Sequence, residues 1–366
     1  MAKADGHKEQ WKTVKLGDVA KTFTGLTYSP NCIDKRGTLV LRSSNIKDGR
    51  LCFEDNVFVS MEIPERAIVQ ENDILICVRN GSRNLIGKCA LITKDAVGMA
   101  FGAFMTVLRS NTIDPKLLLY IWQSNSIQRQ VANNIGATIN QITNADFNRF
   151  EISYPDSLPA QRRIAAILSS ADKVIEQTRL LISKYKSIKQ GMMEDLLKPK
   201  EGWKKVKLGE CLTIGNGQDY KHLQSGVIPV YGTGGVMTYV DDYLYEGETV
   251  CIGRKGTINK PMYYSGKIWT VDTLFYTHSF IGVMPLFIYY IFCNIDWNKY
   301  NEATGVPSLS KETIYKIELS IPDLPEQRRI AKILSGIDRK IEVEEKVLEK
   351  YIQIKKGLME KLLREQ

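Results

Sequence analysis

The clearest pattern of apolar and polar positions belongs to a stretch that is written twice. Leu158-Pro-Ala-Gln-Arg-Arg-Ile-Ala-Ala-Ile-Leu168 returns as Leu324-Pro-Glu-Gln-Arg-Arg-Ile-Ala-Lys-Ile-Leu334, and the register then holds to the end of the chain. Apolar residues follow at spacings of three and four, which is typical of one helix face. The proline near the start of each copy suits a first helical turn. The pattern predicts two helices of roughly 38 residues, each about 57 Å long.

One such helix cannot bury its apolar stripe alone, whereas two related copies can pair with each other. We therefore predict an antiparallel coiled coil. Thr178, Lys189, Glu344 and Lys355 interrupt the stripe, so its packing should be imperfect. The predicted seam consists of Ile164, Leu168, Ile175, Ile182, Tyr185 and Leu196 in the first copy, and of Ile330, Leu334, Ile337, Ile341, Leu348, Tyr351, Leu358 and Leu362 in the second.

A second, shorter repeat shows how the chain is laid out. Trp11-Lys-Thr-Val-Lys-Leu-Gly-Asp18 returns as Trp203-Lys-Lys-Val-Lys-Leu-Gly-Glu210. The tryptophans lie 192 residues apart and the glutamines of the helix repeat lie 166 apart, so the first body is longer by 26 residues. Unequal bodies between matched ends suggest one scaffold that holds two different readers.

Both bodies read as mixed α/β. Short β-prone runs at 37–41, 74–78, 90–93 and 104–108 and a helix over 115–131 are predicted in the first body. A hairpin joining 249–253 to 261–264 and a helix over 284–294 are predicted in the second. The expected fold class is α+β, with two mixed α/β bodies joined by two long antiparallel coiled-coil helices in a pseudo-twofold internal repeat. The predicted domain limits are 1–10 for a polar N-terminal extension, 11–157 for the first body, 158–200 for the central helix, 201–323 for the second body and 324–366 for the C-terminal helix.

Composition narrows the class of protein. The chain has 366 residues, of which 43% are hydrophobic, enough for two cores and the helices. Seven cysteines without a C-x-x-C pair and three scattered histidines argue against a metal site or a disulfide framework, and favour free thiols in a reducing cytoplasm. No apolar run is long enough to span a membrane, and the polar N-terminus resembles neither a signal peptide nor an anchor.

The net charge of +9 is placed unevenly. Residues 161–198 carry +4, residues 327–366 carry +4, and the rest of the chain carries only +1. Basic helices suit a rod that lies near phosphates or against an acidic partner. A solvated helix face has the same appearance, so charge alone does not choose between these interpretations.

The sequence contains no recognisable catalytic motif. There is no P-loop, no G-x-G-x-x-G between a strand and a helix, and no Asn-Pro-Pro-aromatic segment of the amino-methyltransferase kind. Neither H-E-x-x-H nor a G-x-S-x-G elbow occurs. We therefore predict that the chain is not an enzyme, and that it has no catalytic residue and no cofactor of its own.

Basic and amide residues instead cluster at predicted loop tips. Arginine suits guanine and asparagine suits adenine, while serine, threonine and lysine also reach phosphates. For any single residue an ordinary polar turn is the better interpretation, but the three clusters together, in a duplicated chain without a catalytic motif, favour nucleic acid. The candidate DNA-binding residues are Arg42, Ser43, Asn45, Arg79, Asn80, Ser82, Arg83, Asn84, Tyr231, Thr233, Arg254, Lys255 and Thr257. We expect Arg254 to read a base and Lys255 to hold a phosphate.

The duplicated Leu-Pro-x-Gln-Arg-Arg-Ile-Ala-x-Ile-Leu helix and the Trp-Lys-x-Val-Lys-Leu-Gly repeat resemble the specificity subunit of type I restriction–modification systems. The segments Ile252-Gly-Arg-Lys-Gly-Thr257 and Trp269-Thr-Val-Asp-Thr273 resemble its target-recognition domains. This resemblance implies two such domains, each reading half of a split double-stranded DNA site, on helices that set the spacing and dock two methyltransferase subunits. S-adenosylmethionine, ATP and Mg would then belong to those subunits and to the restriction or motor subunits.

Two other interpretations remain open at this point. The chain could be a non-catalytic coiled-coil scaffold that bridges protein partners, in which case binding should depend only weakly on salt. It could also be a stand-alone methyltransferase, which the missing cofactor motif opposes.

Overall fold

The structure, a computed structural model, describes residues 9–136 and 140–364. Residues 1–8 of the predicted N-terminal extension lie outside the described residues. By its contacts the chain divides into two compact units, Met1–Thr178 with Leu348–Gln366, and Arg179–Val347. Each unit thus combines one body with a part of each long helix. The domain limits drawn from the sequence remain a prediction.

Strands and short helices make up each body, and a long helix follows each. The α-helices are α1 Leu16–Val19, α2 Pro115–Gln123, α3 Asn125–Asn134, α4 Asn144–Arg149, α5 Leu158–Leu196, α6 Leu208–Cys211, α7 Pro285–Asn294, α8 Lys311–Tyr315 and α9 Leu324–Leu362. The strands of the first body are β1 Trp11–Lys15, β2 Ala20–Thr24, β3 Ile33–Leu41, β4 Ile46–Lys47, β5 Arg50–Leu51, β6 Val57–Val59, β7 Ile74–Cys77, β8 Cys89–Leu91, β9 Ala100–Phe101, β10 Met105–Ser110 and β11 Glu151–Pro155. Those of the second are β12 Lys204–Lys207, β13 Thr213–Asn216, β14 Ser225–Gly232, β15 Gly235–Val240, β16 Tyr245–Gly253, β17 Met262–Thr270, β18 Leu274–His278 and β19 Glu318–Ile321.

The two long helices predicted from the repeat are confirmed, at 39 residues each. Within the second unit they pack antiparallel, because Lys186 pairs with Glu345 while the later Lys189 pairs with the earlier Asp338. Within the first unit the C-terminal end of α9, including Leu358, packs against the core that surrounds the start of α5.

The predicted seam residues differ in burial. Tyr351 is 37% exposed and so lies at the edge of the helix pair, not in a seam. A heptad pattern does not distinguish such an edge position from a central one. The buried members are Ile164, Leu168, Ile175, Ile182, Ile330, Leu334 and Ile341, and the half-buried ones are Tyr185, Leu196, Ile337, Leu348, Leu358 and Leu362.

The first body is built on an antiparallel sheet in the order β2-β10-β7-β8. One face packs on α2 and on the start of α5, in a core that includes Ile76, Trp122 and Leu168. The other face is covered by the sheet β6-β3-β9, in which β3 and β9 run parallel. The short hairpin β4–β5 projects towards α5, and the pair β1–β11 leads into that helix.

The second body has one six-stranded sheet in the order β13-β18-β16-β17-β14-β15. Its one parallel pair in the described part of the unit, β14 with β17, corresponds to β3 with β9. Helix α7 packs on one face, where Val250, Ile252 and Phe287 are fully buried. The pair β12–β19 leads into α9 as β1–β11 leads into α5.

The structure changes two local predictions. The helix predicted over 115–131 is interrupted at Ser124, whose φ of −68° and ψ of 153° are extended, so α2 and α3 are separate helices. The hairpin predicted over 249–264 is longer, because β16 and β17 pair from Cys251 with Met262 back to Tyr245 with Ile268.

Candidate nucleic-acid interface

Two of the predicted loop clusters in the first body lie together. The loop that follows β7 carries Asn80, whose Nδ2 donates to the Ser43 hydroxyl at 3.3 Å. Lys88 also contacts the 42–45 segment and donates to the Ser43 carbonyl at 3.2 Å. The structure therefore brings the 42–45 and 79–84 segments into one surface, although they are far apart in the sequence.

Asn45 does not belong to the exposed part of this surface. It is fully buried, and its Oδ1 accepts a hydrogen bond from the Arg42 N–H at 2.9 Å. Its Nδ2 donates to the carbonyls of Cys52 and Asp55 at 3.1 Å. Because the amide is used inside its own loop, burial opposes the prediction that Asn45 contacts DNA, and that contact stays a prediction. The residue shapes the loop.

Arg42 is only partly available. Its side chain is one-third exposed, and its guanidinium pairs with the Asp55 carboxylate at 2.9 Å. The Nε atom is buried without a hydrogen-bond partner. A buried donor without an acceptor is unusual. The Asp55 contact fixes the side chain beside the loop.

The 79–84 loop presents the exposed donors of the first body. Arg79 is exposed and lies over the Phe104 ring, with 5.1 Å from its guanidinium carbon to the ring centre. Ser82, Arg83 and Asn84 are exposed as well, although one Arg83 nitrogen donates to the Ala132 carbonyl at 3.0 Å. The loop therefore keeps arginine and amide donors at the surface.

The loop after β16 in the second body has the same backbone geometry. The N–H groups of Arg254 and Lys255 both donate to the Thr273 carbonyl, at 2.8 and 3.3 Å. In the first body, the N–H groups of Val78 and Arg79 both donate to the Phe104 carbonyl, at 3.0 and 3.2 Å. Lys255 is thus the structural counterpart of Arg79.

A second contact supports this correspondence. Lys255 forms an antiparallel bridge with Ser308, just before α8, and Arg79 forms one with Gln141, just before α4. The glycine that follows Lys255 has φ +85° and donates its N–H to the Pro307 carbonyl at 2.8 Å. Both loops are therefore fixed at their backbone, while their cationic side chains are exposed.

Arg254 and Lys311 share one aromatic ring. Their charged groups both lie 5.9 Å from the centre of the Phe275 ring. They line a cleft of about 420 Å³ that also contains Lys255, Ser308 and Ser310. Burial and then the charge of Lys311 lower the pKa of His278. Three cations therefore converge on one cleft.

Acidic groups limit the positive charge of this cleft. Glu302 and Glu312 also line it. Hydrogen bonds from the hydroxyls of Ser310 and Thr313 lower the pKa of Glu302, so this carboxylate is ionised at neutral pH. A carboxylate in this cleft can accept a hydrogen bond from the amino group of a cytosine. Its negative charge also lowers the affinity of the cleft for phosphate.

Sequence reasoning missed Lys311. It is an isolated lysine at the start of a short helix whose N-cap is Ser310. The one signal available in the sequence was the matching Thr143, which caps α4 in the first body. That match identifies the helix start but not the side chain that faces Arg254.

The remaining candidates lie elsewhere in the second body. Tyr231 is half-buried and stacks on Tyr264, with 3.7 Å between ring centres. Thr233 lines a different cleft of about 640 Å³, formed with the glycine turn at 232–235. Thr257 is half-buried at the end of the Arg254 loop. The structure therefore does not bring Tyr231 and Thr233 into the Arg254 cleft.

The described residues contain no group of three or more His, Cys, Asp or Glu that could hold a metal ion. Among the helices placed in residues 9–136 and 140–364, none is long and apolar enough to cross a membrane.

Comparison with known proteins decides the family. A sequence model of the type I restriction modification DNA specificity domain matches residues 8–183 and, a second time, residues 200–351. The chain belongs to this family. The two matches fall on the two bodies with their adjoining helices, so the internal repeat corresponds to two specificity domains.

The chain is similar to several specificity subunits at low sequence identity. The chain is 25% identical to the putative type I restriction enzyme MjaX specificity subunit of Methanocaldococcus jannaschii, over 97% of this chain and 93% of that protein. It is 28% identical over 178 residues to the StySPI specificity subunit of Salmonella potsdam, which covers 47% of this chain and only 38% of that protein. The crystal structure of the type I S subunit from M. genitalium has the same fold, with a TM-score of 0.64 at 19% identity over 100% of this chain and 99% of that one.

Proposed function

We propose that this chain is the DNA-sequence specificity subunit of a type I restriction–modification complex. Each body then reads one half of a split double-stranded site. The observation that carries this proposal is the pair of equivalent loops, in which Arg79 and Lys255 take the same backbone position in two specificity domains.

The geometry of these loops suits DNA recognition. A backbone held by two N–H bonds to one carbonyl places its exposed side chains reproducibly. Arginine can then bind guanine O6 and N7 with two hydrogen bonds, and lysine can bind phosphate. We assign base reading to Arg254 and phosphate binding to Lys255, with Lys311 as a second cation in the same cleft. In the first body we assign DNA contact to Arg79, Ser82 and Asn84.

The long helices are the proposed docking surface for other subunits. Their basic excess of +4 in each copy suits an acidic protein surface or nearby DNA. We propose that two methyltransferase subunits bind the helices, and that restriction or motor subunits join that complex in the cytoplasm. S-adenosylmethionine, ATP and Mg would act in those subunits, so that this chain supplies the choice of site and the partners supply catalysis.

The test is an exchange of one body. Methylated adenines are mapped in cells that express the methyltransferase subunits with the intact chain, or with residues 213–316 replaced by the matching segment of another specificity subunit. A split motif is expected for the intact chain, and only one half of the motif should change after the exchange. A change in both halves, or in neither, would contradict the division of labour.

Salt dependence separates this function from that of a protein-bridging scaffold. Binding of the assembled complex to its cognate duplex should weaken steeply as salt rises, since each neutralised phosphate adds about 0.9 to the slope of log K against log salt. A shallow slope would favour the scaffold.

A further inference from the structure

A three-residue contact joins the first body to both long helices. The Tyr120 hydroxyl, on α2, donates to the Asp172 carboxylate of α5 at 2.7 Å. The same carboxylate pairs with the Lys355 ammonium of α9 at 2.6 Å. Lys355 also lies 5.2 Å from the centre of the Tyr120 ring. One body helix and two scaffold helices therefore meet at a single carboxylate.

The second unit contains the same contact. The Tyr290 hydroxyl, on α7, donates to the Asp338 carboxylate of α9 at 2.7 Å. Lys189 of α5 pairs with that carboxylate at 2.6 Å and lies 5.5 Å from the Tyr290 ring centre. Asp172 and Asp338, like Lys189 and Lys355, are 166 residues apart, which is the offset of the helix repeat. The two contacts are thus related by the internal repeat.

The setting of these contacts makes them strong and selective. Both tyrosines are almost fully buried, at 3% and 1% exposed, and burial raises the pKa of each, so the hydroxyls remain protonated donors. The side chains of Lys189 and Lys355 are less than one-fifth exposed. These lysines are two of the four residues that interrupt the apolar stripe of the helices. A polar group in such a stripe selects one arrangement of the helices over others.

We propose that the two Tyr–Asp–Lys contacts fix the orientation of each body on the helix pair and thereby make the complex selective for one spacer length. The proposal rests on the function given above. Adding one base pair to the spacer moves a half-site by about 3.4 Å and turns it by about 35°. A body that cannot turn on its helices rejects this displaced half-site, whereas a body that can turn follows it.

The two bodies differ in how much else holds them. In the first, Arg50 of the β4–β5 hairpin also pairs with Glu176 at 2.8 Å and donates to the Asp172 carbonyl at 2.9 Å. Asn125 donates to Glu360 at 3.2 Å. The second body has no hairpin corresponding to β4–β5 among its described residues. Loss of the contact in the second unit should therefore have the larger effect.

The experiment uses the full chain in complex with its methyltransferase subunits. The substrates are duplexes that carry both half-sites with the native spacer or with one base pair more or less. The measured quantity is the ratio of initial methylation rates on the native and altered spacers. We expect Lys189→Met to lower this ratio about tenfold, and Lys355→Met to lower it less. Methionine keeps the apolar stem of the side chain and removes the charge.

Lys186→Met is the matched control. Lys186 lies on the same helix and pairs across to Glu345 at 2.7 Å, but this exposed pair is not one of the Tyr–Asp–Lys contacts. Its ratio should equal that of the unaltered chain. Tyr290→Phe is the second variant, because it removes only the hydroxyl and keeps the buried ring, and it should lower the ratio in the same direction.

The outcomes are distinct. Unchanged ratios in Lys189→Met and Tyr290→Phe, with a clear preference for the native spacer in the unaltered chain, would overturn this inference and leave the proposed function intact. An equal fall of the ratio in Lys186→Met would also overturn it, because losing any ion pair between the two helices would then relax the spacer preference. If the unaltered complex methylated no split site at all, the proposed function would fail first.

Discussion

The two bodies are alike on one face of their sheets and different on the other. On the face towards α2 and α7, both carry aliphatic strand residues that are buried against the helix. On the opposite face, Leu75 of the first body is covered by β3 and β9, so that its strand neighbours Ala90 and Val107 are fully buried. The corresponding Cys251 of the second body has the half-exposed Met262 and Tyr276 as neighbours.

This difference shows where a specificity domain can vary. The longer first body places a second sheet layer on the face away from α2. The second body leaves that face as a half-buried tyrosine surface with Tyr231, Tyr245 and Tyr264. The helix side is the same in both bodies because it must fit the same scaffold. Among the described residues, the opposite face of each sheet does not contact the long helices, so the two bodies differ there in chain length and in composition.

The largest expected loss of stability concerns Asp73, a buried carboxylate in the first body whose counterpart in the second body is uncharged. Asp73 is 1% exposed, accepts two hydrogen bonds from Arg109 at 2.7 and 2.8 Å, and also accepts the Gln70 N–H. Its counterpart in the second body, five residues before Arg254, is Thr249, whose hydroxyl donates to the Thr277 carbonyl and accepts the Thr277 N–H. Asp73→Ala should lower the free energy of unfolding by about 3–5 kcal/mol, because it leaves a cation without its partner.

Thr249→Val is the matched change in the other body, and should cost about 1–3 kcal/mol. Urea unfolding of both variants measures the difference. Equal losses would mean that the buried ion pair adds nothing beyond the hydroxyl contacts.

The next effect should be alike in both bodies. Gln161 is buried, accepts the Asp114 N–H before α2 at 2.9 Å and donates to the Pro155 carbonyl at 2.9 Å. Gln327 accepts the Met284 N–H before α7 at 2.9 Å and donates to the Pro322 carbonyl at 2.9 Å. Replacing either by Ala leaves buried groups unpaired and should cost about 2–3 kcal/mol.

Hydrogen exchange locates that loss. Faster exchange should appear at α2 in Gln161→Ala and at α7 in Gln327→Ala. If one variant raised hydrogen exchange equally at α2 and α7, the two units would not unfold independently of each other.

The smallest effects concern the reading loops. Arg254→Ala should cost about 1–3 kcal/mol of discrimination between cognate and single-base variant sites. Lys255→Ala should weaken binding to all sites alike and reduce the salt slope by about one. Arg79 is the structural counterpart of Lys255, so Arg79→Ala tests whether equivalent positions in the two bodies have equivalent roles. Titration of the assembled complex with variant duplexes measures all three, and an unchanged ranking in Arg254→Ala would exclude this loop as a reader.

Much of the scaffold could be predicted from the sequence, because repetition and helical periodicity are one-dimensional signals. The same logic could not find the Tyr–Asp–Lys contacts, in which Lys189 and Lys355 looked only like interruptions. Nor could it show that Asn45 points inward, since an asparagine that supports a loop and one that reads a base look alike in sequence. Ser124, which separates α2 from α3, lies within an otherwise regular helical pattern.

The proposed DNA-reading surface is the part of the molecule that the sequence predicts least well. Arg254 and Lys311 meet over Phe275 only because β16, β18 and α8 converge, and that convergence depends on long-range strand pairing. A loop tip can be recognised by its composition, but the side chain that comes from another element cannot.

The first unit is completed by residues from the far end of the chain, since Leu358, Met359, Leu362 and Leu363 pack against its core. A ribosome making this protein therefore exposes an unfinished first body during the whole synthesis of the second. The first body completes its core only after the last turns of α9 have left the ribosome. Until then its apolar surface is exposed and prone to aggregation. A truncation just before Leu358 would thus damage the core of the first body, which is encoded far upstream of it.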